Sequence, residues 1–460
     1  MINKYIKSRV NDSKKLVKEL RKEYDYASIL GKYVKTKRIA ISTTVNSVDE
    51  VDNECGFVIK LYKNGRYSEY SCNDIRGLKV EDINKAVKLK KVFSNNYSIP
   101  VLQEDKHVES FLREDQHTYK DSEIISKLSS IKKACEDEDK RVIQVRAMYV
   151  KRETSSIFVS DKKVLDQKYD WINTMLVVAV RDGNNIKYNY SAEGEADSKL
   201  ALDAIEKSYK NILDIAIKLL DAKPIKPGVY DIITDPSISG LIAHEAFGHG
   251  VEMDMFVKNR AKAKDFVGKH VASPLVNMFD GAASTLSAAS YFFDDDGIEA
   301  SNTQIIKNGI LQTGISDSLS ALQLGTKPTG NGRREAFDHK VYTRMTNTFF
   351  GKGEDKLEDM FKSIKHGYYL CETNNGMEDP KNWQIQCTAS YGLEIKDGKL
   401  TGKIVSPVVI SGYVIDLLNS ISMVSEEVKV HGSGMCGKGH KEWVYVADGG
   451  PYLKGRAKLG

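Results

Sequence analysis

The sequence predicts an α+β fold in two domains: an N-terminal mixed α/β domain over residues 1–222 and a C-terminal β-rich domain over residues 228–460. Three observations lead to it. The 460 residues exceed the size at which a single hydrophobic core stops growing. Segments with helical apolar spacing are interleaved with runs of β-type residues bounded by glycine-containing turns. Between the halves, Lys223-Pro224-Ile-Lys-Pro227-Gly228 contains two prolines and a glycine, which continue neither a helix nor a central strand.

The elements follow in order. Ile2, Tyr5, Ile6, Leu16, Val17 and Leu20 recur at helical spacing and predict an N-terminal helix. From Arg38 to Cys72 the pattern turns to strands, and Asn64-Gly65 between Phe57–Tyr62 and Tyr67 predicts a hairpin, because both residues tolerate positive φ. Helices are expected near 81–94 and 121–135, then strands from Val142 to Tyr190 with a turn at Asp182-Gly183. A long amphipathic helix over Asp197–Ala222 closes the first domain. Beyond the junction, Val229–Ile233 reads as a strand, and Asp235-Pro236 supplies an N-cap followed by proline at the first helical position. Asn308-Gly309 and Asp397-Gly398 predict further hairpins.

Composition narrows the class. Hydrophobic residues at 41% and charged residues at 28% describe an ordinary globular chain and exclude a disordered or fibrous one. A formal net charge of +5, from 68 basic against 63 acidic side chains, gives no case for nucleic acid, and acids interrupt the basic stretch around Lys85–Lys91. The opening residues lack a signal-peptide core, and the longest strongly apolar run, Met175–Val180, falls far short of the ~20 residues that span a bilayer. A cytoplasmic chain without membrane contact is therefore expected. Six cysteines without a CxxC pair read as reduced thiols.

The chemistry is concentrated in Leu241-Ile-Ala-His244-Glu245-Ala-Phe-Gly248-His249-Gly250, an HExxH-like helix with one extra residue before the second histidine. At ~100° per residue, positions i and i+5 lie ~140° apart on a regular helix, too far to share an ion. The helix must end or bulge there, and Gly248 and Gly250 are expected to permit it. Two imidazoles suit zinc, and Glu245 beside the first can take a proton from water. The same residues could instead serve packing and capping. Pro328-Thr-Gly-Asn331-Gly-Arg333-Arg334 reads as a surface loop whose guanidiniums either clamp a peptide carboxylate, with Asn331 beside them, or form structural ion pairs. Asp294–Asp296 reads as a solvated turn with no metal assigned.

Four blocks give the sequence a resemblance to the TldD/PmbA family of metallopeptidases: His244–Gly250, Phe293-Asp-Asp-Asp-Gly297, Pro328–Arg334 with Arg344-Met-Thr-Asn-Thr348, and Gly434-Met-Cys436-Gly-Lys-Gly439. It extends over roughly residues 225–460, while the N-terminal half is compatible but less diagnostic. The resemblance implies a zinc ion as cofactor, held by His244, His249 and, as the third ligand, Cys436, with Glu245 as the catalytic base. It implies the motif-bearing, TldD-type subunit, a peptide substrate that is small or unfolded, and a homodimer or a heterodimer with a PmbA-type (TldE) chain. The block departs from the family's common Asp-Gly-Gln at Gly439-His440, which leaves the role of His440 open. A non-catalytic partner or peptide-maturation subunit is the alternative, against which the intact histidine motif argues.

Overall fold

A computed structural model describes residues 1–87, 99–439 and 441–460. In the N-terminal half, α1 (Lys4–Ser8) and α2 (Val10–Leu20) precede three antiparallel strands, β1 (Tyr26–Ser42), β2 (Asn46–Lys63) and β3 (Arg66–Cys72). The β2–β3 turn is the expected one, with Asn64 at φ 51° and Gly65 at φ 73°. Next come α3 (Val80–Ala86), β4 (His107–Arg113), α4 (Asp121–Glu138), the strands β5 (Val142–Ser160), β6 (Lys163–Asp182) and β7 (Asn185–Glu195), and α5 (Ser198–Leu219). The helix expected over 81–94 leaves helical geometry at Val87, and its remainder, 88–94, lies outside the described residues. The seven strands form one sheet in the order β3-β2-β1-β5-β6-β4, with β7 also on β6.

Side-chain alternation gives this sheet two apolar faces. On one, Ile39 and Ile41 of β1 join Leu128 and Ile131 of α4 and Leu202, Ile205 and Ile212 of α5. Ile29, Phe57 and Ile59 are covered by Leu16, Val17 and Leu20 of α2. On the other face Leu30, Phe158 and Leu165 meet Phe293 of the C-terminal half. Burying each such side chain stabilises by about 1.5–3 kcal/mol, so the contact between the halves is part of the core.

The C-terminal half contains β8 (Gly228–Thr234), α6 (Pro236–Ile242), β9 (Met278–Asp280), β10 (Thr303–Lys307), β11 (Ile310–Leu311), β12 (Gly332–Arg333), β13 (Tyr342–Thr343), β14 (Asn347–Phe350), β15 (His366–Asp379), β16 (Gln384–Lys396), β17 (Lys399–Val405), β18 (Val408–Tyr413), β19 (Met423–Val424), β20 (Lys429–Lys438), β21 (Lys441–Gly450) and β22 (Leu453–Leu459). One sheet runs β11-β10-β9-β14-β21-β20 and the other β15-β8-β22-β18-β16-β17, with β12 and β13 paired alone. Turns at Asn308-Gly309 and Asp397-Gly398 close β10–β11 and β16–β17, all four residues having positive φ. Among the described residues, no strand of the first half pairs with a strand of the second.

α6 sits between the two C-terminal sheets. A Cβ on Gly240 would overlap the backbone of Gly449 on β21, and one on Gly376 of β15 would overlap Glu245 just beyond the other end of α6. Among the described residues, no helix is long and apolar enough to cross a membrane.

Candidate metal centre

The local sequence sets the course of the histidine segment. Asp235 caps α6, accepting from the Ile238 N–H at 2.8 Å, and Pro236 occupies the first turn, where its missing donor costs nothing. After Ile242 the chain widens into a π-turn over Ala243–Gly248 and tightens into a 3₁₀ turn over His249–Val251. The His249 N–H donates to the His244 carbonyl, the i to i+5 bond of a π-helix. That bond brings residue i+5 round to the face of residue i, so the extra residue of the motif is absorbed by the bulge the spacing demands.

The glycines have a different reason from the expected one. Gly248 lies at φ −59°, an ordinary helical value. A Cβ there would overlap Met345 Sδ, and one on Gly250 would lie 2.8 Å from Glu378 Oε1. Gly248 is short of space, whereas the Gly250 contact is only to the end of the Glu378 side chain.

Cys436 arrives from β20, opposite Val444 of β21. Its Sγ is 3.3 Å from His244 Nε2 and 3.3 Å from His249 Nε2, with the imidazole planes 88° apart. A nitrogen and a sulfur bound to one tetrahedral zinc, at ~2.0–2.1 Å and ~2.3 Å, lie about 3.6 Å apart, so these three donors fit the ion the sequence implied. Thiolate with two imidazoles is also the donor chemistry zinc prefers. Burial alone would raise the Cys436 thiol, yet the two imidazoles bring it down to about 4. Burial pulls both histidines down, and the Cys436 thiolate more than reverses it, raising His249 most.

A second layer, absent from the sequence reading, orients these donors. Glu252, 2% exposed, stands 3.5 Å from His249 Nδ1 and takes charge-assisted contacts from Lys438 at 3.1 Å and Arg344 at 3.4 Å. Burial would raise its carboxyl, but Lys438, His249 and Arg344 hold it well below the usual range. Fully buried Arg344 also donates to the Cys436 carbonyl at 2.8 Å. Ligand-orienting partners of this kind fix ring tautomer and position. Arg344 and Lys438 lie inside blocks that carried the family resemblance, which was the signal for them; nothing local marked Glu252.

Glu245, half-buried, faces the same cavity of about 1100 Å³ as the three donors. The cavity is lined from both halves, by Tyr190 and Glu193 of β7 as well as Glu372, Gly376 and Glu378 of β15. Burial pushes Glu372 up to about 7, and Glu378, whose oxygens are shielded without hydrogen-bond partners among the described residues, is raised too.

The remaining sequence candidates go elsewhere. Pro328–Arg334 is not a surface loop: Asn331 is fully buried and donates to Asp280 at 2.7 Å and to the Arg344 carbonyl at 3.1 Å. Arg334, 4% exposed, is engaged by Glu69 at 2.6 Å and 3.0 Å. Arg333 donates to the Met345 carbonyl at 2.6 Å. Arg333 and Arg334 line a different cavity from the histidines, and Asn331 lines neither. The Asp294–Asp296 turn is likewise not solvated: Asp294 and Asp296 are each 3% exposed. Asp294 accepts from three backbone N–H groups, and Asp296 pairs with Lys60 of β2. The compensating partners come from the other half of the chain, beyond the reach of a local pattern. His440 lies outside the described residues.

With this geometry in hand, the comparisons agree. Residues 227–454 match the family model described as the PmbA/TldA metallopeptidase C-terminal domain. A metalloprotease of Methanocaldococcus jannaschii is 28% identical over 456 residues, covering 94% of this chain and 96% of that protein. A zinc metalloprotease TldD homolog of Saccharolobus solfataricus is 31% identical over 251 residues, 54% of this chain and 55% of that one. In fold, the chain superposes on TldE from Thermococcus kodakarensis with a TM-score of 0.74 at 18% identity, covering 97% of this chain and 99% of that chain.

Proposed function

The chain belongs to the TldD/PmbA family of metallopeptidases, and on that premise we propose that it is a zinc-dependent peptidase acting on small or unfolded peptides. The observation that carries the reading is the convergence of His244 Nε2 and His249 Nε2 on Cys436 Sγ in a cavity that also receives Glu245. His244, His249 and Cys436 would hold the ion, which when bound supplies Lewis acidity to a carbonyl and to water.

The protein's own groups do the rest. The Glu245 carboxylate takes a proton from the attacking water and returns it to the leaving amine. Its reach is set by Gly376, whose missing Cβ leaves room for the Glu245 side chain. Arg344 and Glu252 keep Cys436 and His249 in place. Lining from both halves shields the cavity, so an extended peptide suits it better than a folded surface. Assembly as a homodimer, or with a PmbA-type (TldE) chain, follows as part of the proposal.

The test is peptide cleavage by the purified chain, alone and with a TldE-type chain. Chelation should abolish cleavage and zinc should restore it, with light scattering reporting a dimer. Full activity in the chelated protein would overturn the reading.

A further inference from the structure

Away from the histidine motif, the His339 imidazole meets two carboxylates where the turn from Glu335 to His339 approaches the start of β21. His339 Nδ1 lies 3.5 Å from Glu335 Oε2 and 3.5 Å from Glu442 Oε2, and one potential ligand atom from each residue lies within 4.8 Å of the others. Glu442 is 7% exposed, and its Oε2 has no hydrogen-bond partner among the described residues. A buried carboxylate oxygen left without a partner is costly. It points toward His339.

The backbones that bear these side chains are fixed in advance. The Glu442 N–H donates to Glu335 Oε2 at 2.7 Å, and its carbonyl accepts from Arg344. On the turn, the His339 carbonyl accepts from Arg334 at 2.6 Å and the Phe337 N–H donates to Glu54 at 2.8 Å. Of the cations lining the same cavity, Arg334 is engaged by Glu69, Lys32 by Glu54 and Asp295, and Arg152 by Glu54, while Arg333 donates to the Met345 carbonyl.

A simple ion pair explains this arrangement poorly. The His339 side chain is 40% exposed, and solvent screening leaves a pair at that exposure too weak to offset a buried carboxylate. Two ligands of one tetrahedral ion, each ~2.0–2.2 Å from it, stand about 3.4 Å apart, close to the 3.5 Å from Nδ1 to each carboxylate oxygen. We propose that Glu335, His339 and Glu442 form a second site for a divalent transition-metal ion such as zinc, separate from the Cys436 centre.

Its donor set is one nitrogen and two oxygens, with no sulfur, and water completes the coordination on the exposed side of His339. An ion there ties the 335–339 turn to β21, the hairpin partner of β20, which carries Cys436. Arg344 donates to both the Glu442 and the Cys436 carbonyls, so the clamp bears on the strand that positions the thiolate.

The experiment counts zinc by elemental analysis in tag-free chain saturated with zinc and then dialysed against metal-free buffer. The wild type should hold about two ions per chain and His339→Ala about one, with circular dichroism unchanged. Glu335→Gln, which keeps the side-chain shape, should lose the same ion. A His244→Ala, Cys436→Ser double variant should also hold about one, and its combination with His339→Ala none. In cobalt-substituted protein the thiolate-to-metal charge-transfer band should persist undiminished in His339→Ala while total cobalt halves. Equal zinc in wild type, His339→Ala and Glu335→Gln overturns the second site. Failure of the Cys436 centre reads differently, as unchanged zinc in the His244, Cys436 double variant.

Discussion

Two buried clusters of ionisable residues stand in the C-terminal half, and the contrast between them separates a site from a scaffold. In the block around Asp280, Asp294–Asp296 and Asn331–Arg334, the polar groups largely find partners inside the protein: Asp280 accepts from Asn331, Thr346 and Thr348, and Arg334 is held by Glu69. At the histidine motif the strong donors converge on one another, and His244 Nδ1 has no hydrogen-bond partner among the described residues. Charge and burial are common to both. What differs is whether donor capacity is used up within the fold or held in reserve for something that enters.

Variants can break or sharpen that contrast. The largest effect is expected from His244→Ala with Cys436→Ser, which should remove one zinc per chain and reduce peptide cleavage to background, because a single remaining imidazole holds zinc poorly. Elemental analysis beside an activity assay checks it. Next comes Gly376→Ala: the added methyl overlaps the Glu245 side chain without touching a ligand, so kcat/KM should fall by ~100-fold, the cost of about 1 Å of misplacement, at unchanged zinc content.

The closed cluster should respond in stability instead. Lys60→Met strips Asp296 of its buried partner and should destabilise the chain by about 3–5 kcal/mol in denaturant unfolding, with zinc content unchanged. Asn331→Ala leaves Asp280 and the Arg344 carbonyl short of a donor, for about 1–3 kcal/mol. Loss of zinc in either variant would blur the division between the two clusters.

What the sequence made legible was local. Asn64-Gly65, Asn308-Gly309 and Asp397-Gly398 close hairpins because each turn is set by its own two residues. The 244–249 spacing demanded a distortion, and a π-turn supplies it. The clearest misreadings fell on residues whose partners are remote. Asp294–Asp296 looked solvated because Lys60 lies 236 residues from Asp296, and the choice between a carboxylate clamp and a structural ion pair stayed open at Arg334 because Glu69 lies 265 residues away. Charge compensation of that range leaves no periodic trace. Gly376 was missed for the same reason, and Glu252, though only three residues from His249, was missed because the Lys438 and Arg344 that hold it ionised come from elsewhere in the chain.

The central claim is that Glu245 moves a proton while His244, His249 and Cys436 hold the metal. Glu245→Gln keeps size and much of the hydrogen bonding while removing the base, so zinc content and peptide affinity should stay at wild-type values as kcat falls by ~100- to 10,000-fold. A zinc-loaded Glu245→Gln chain that cleaves peptide at the wild-type rate would contradict the account.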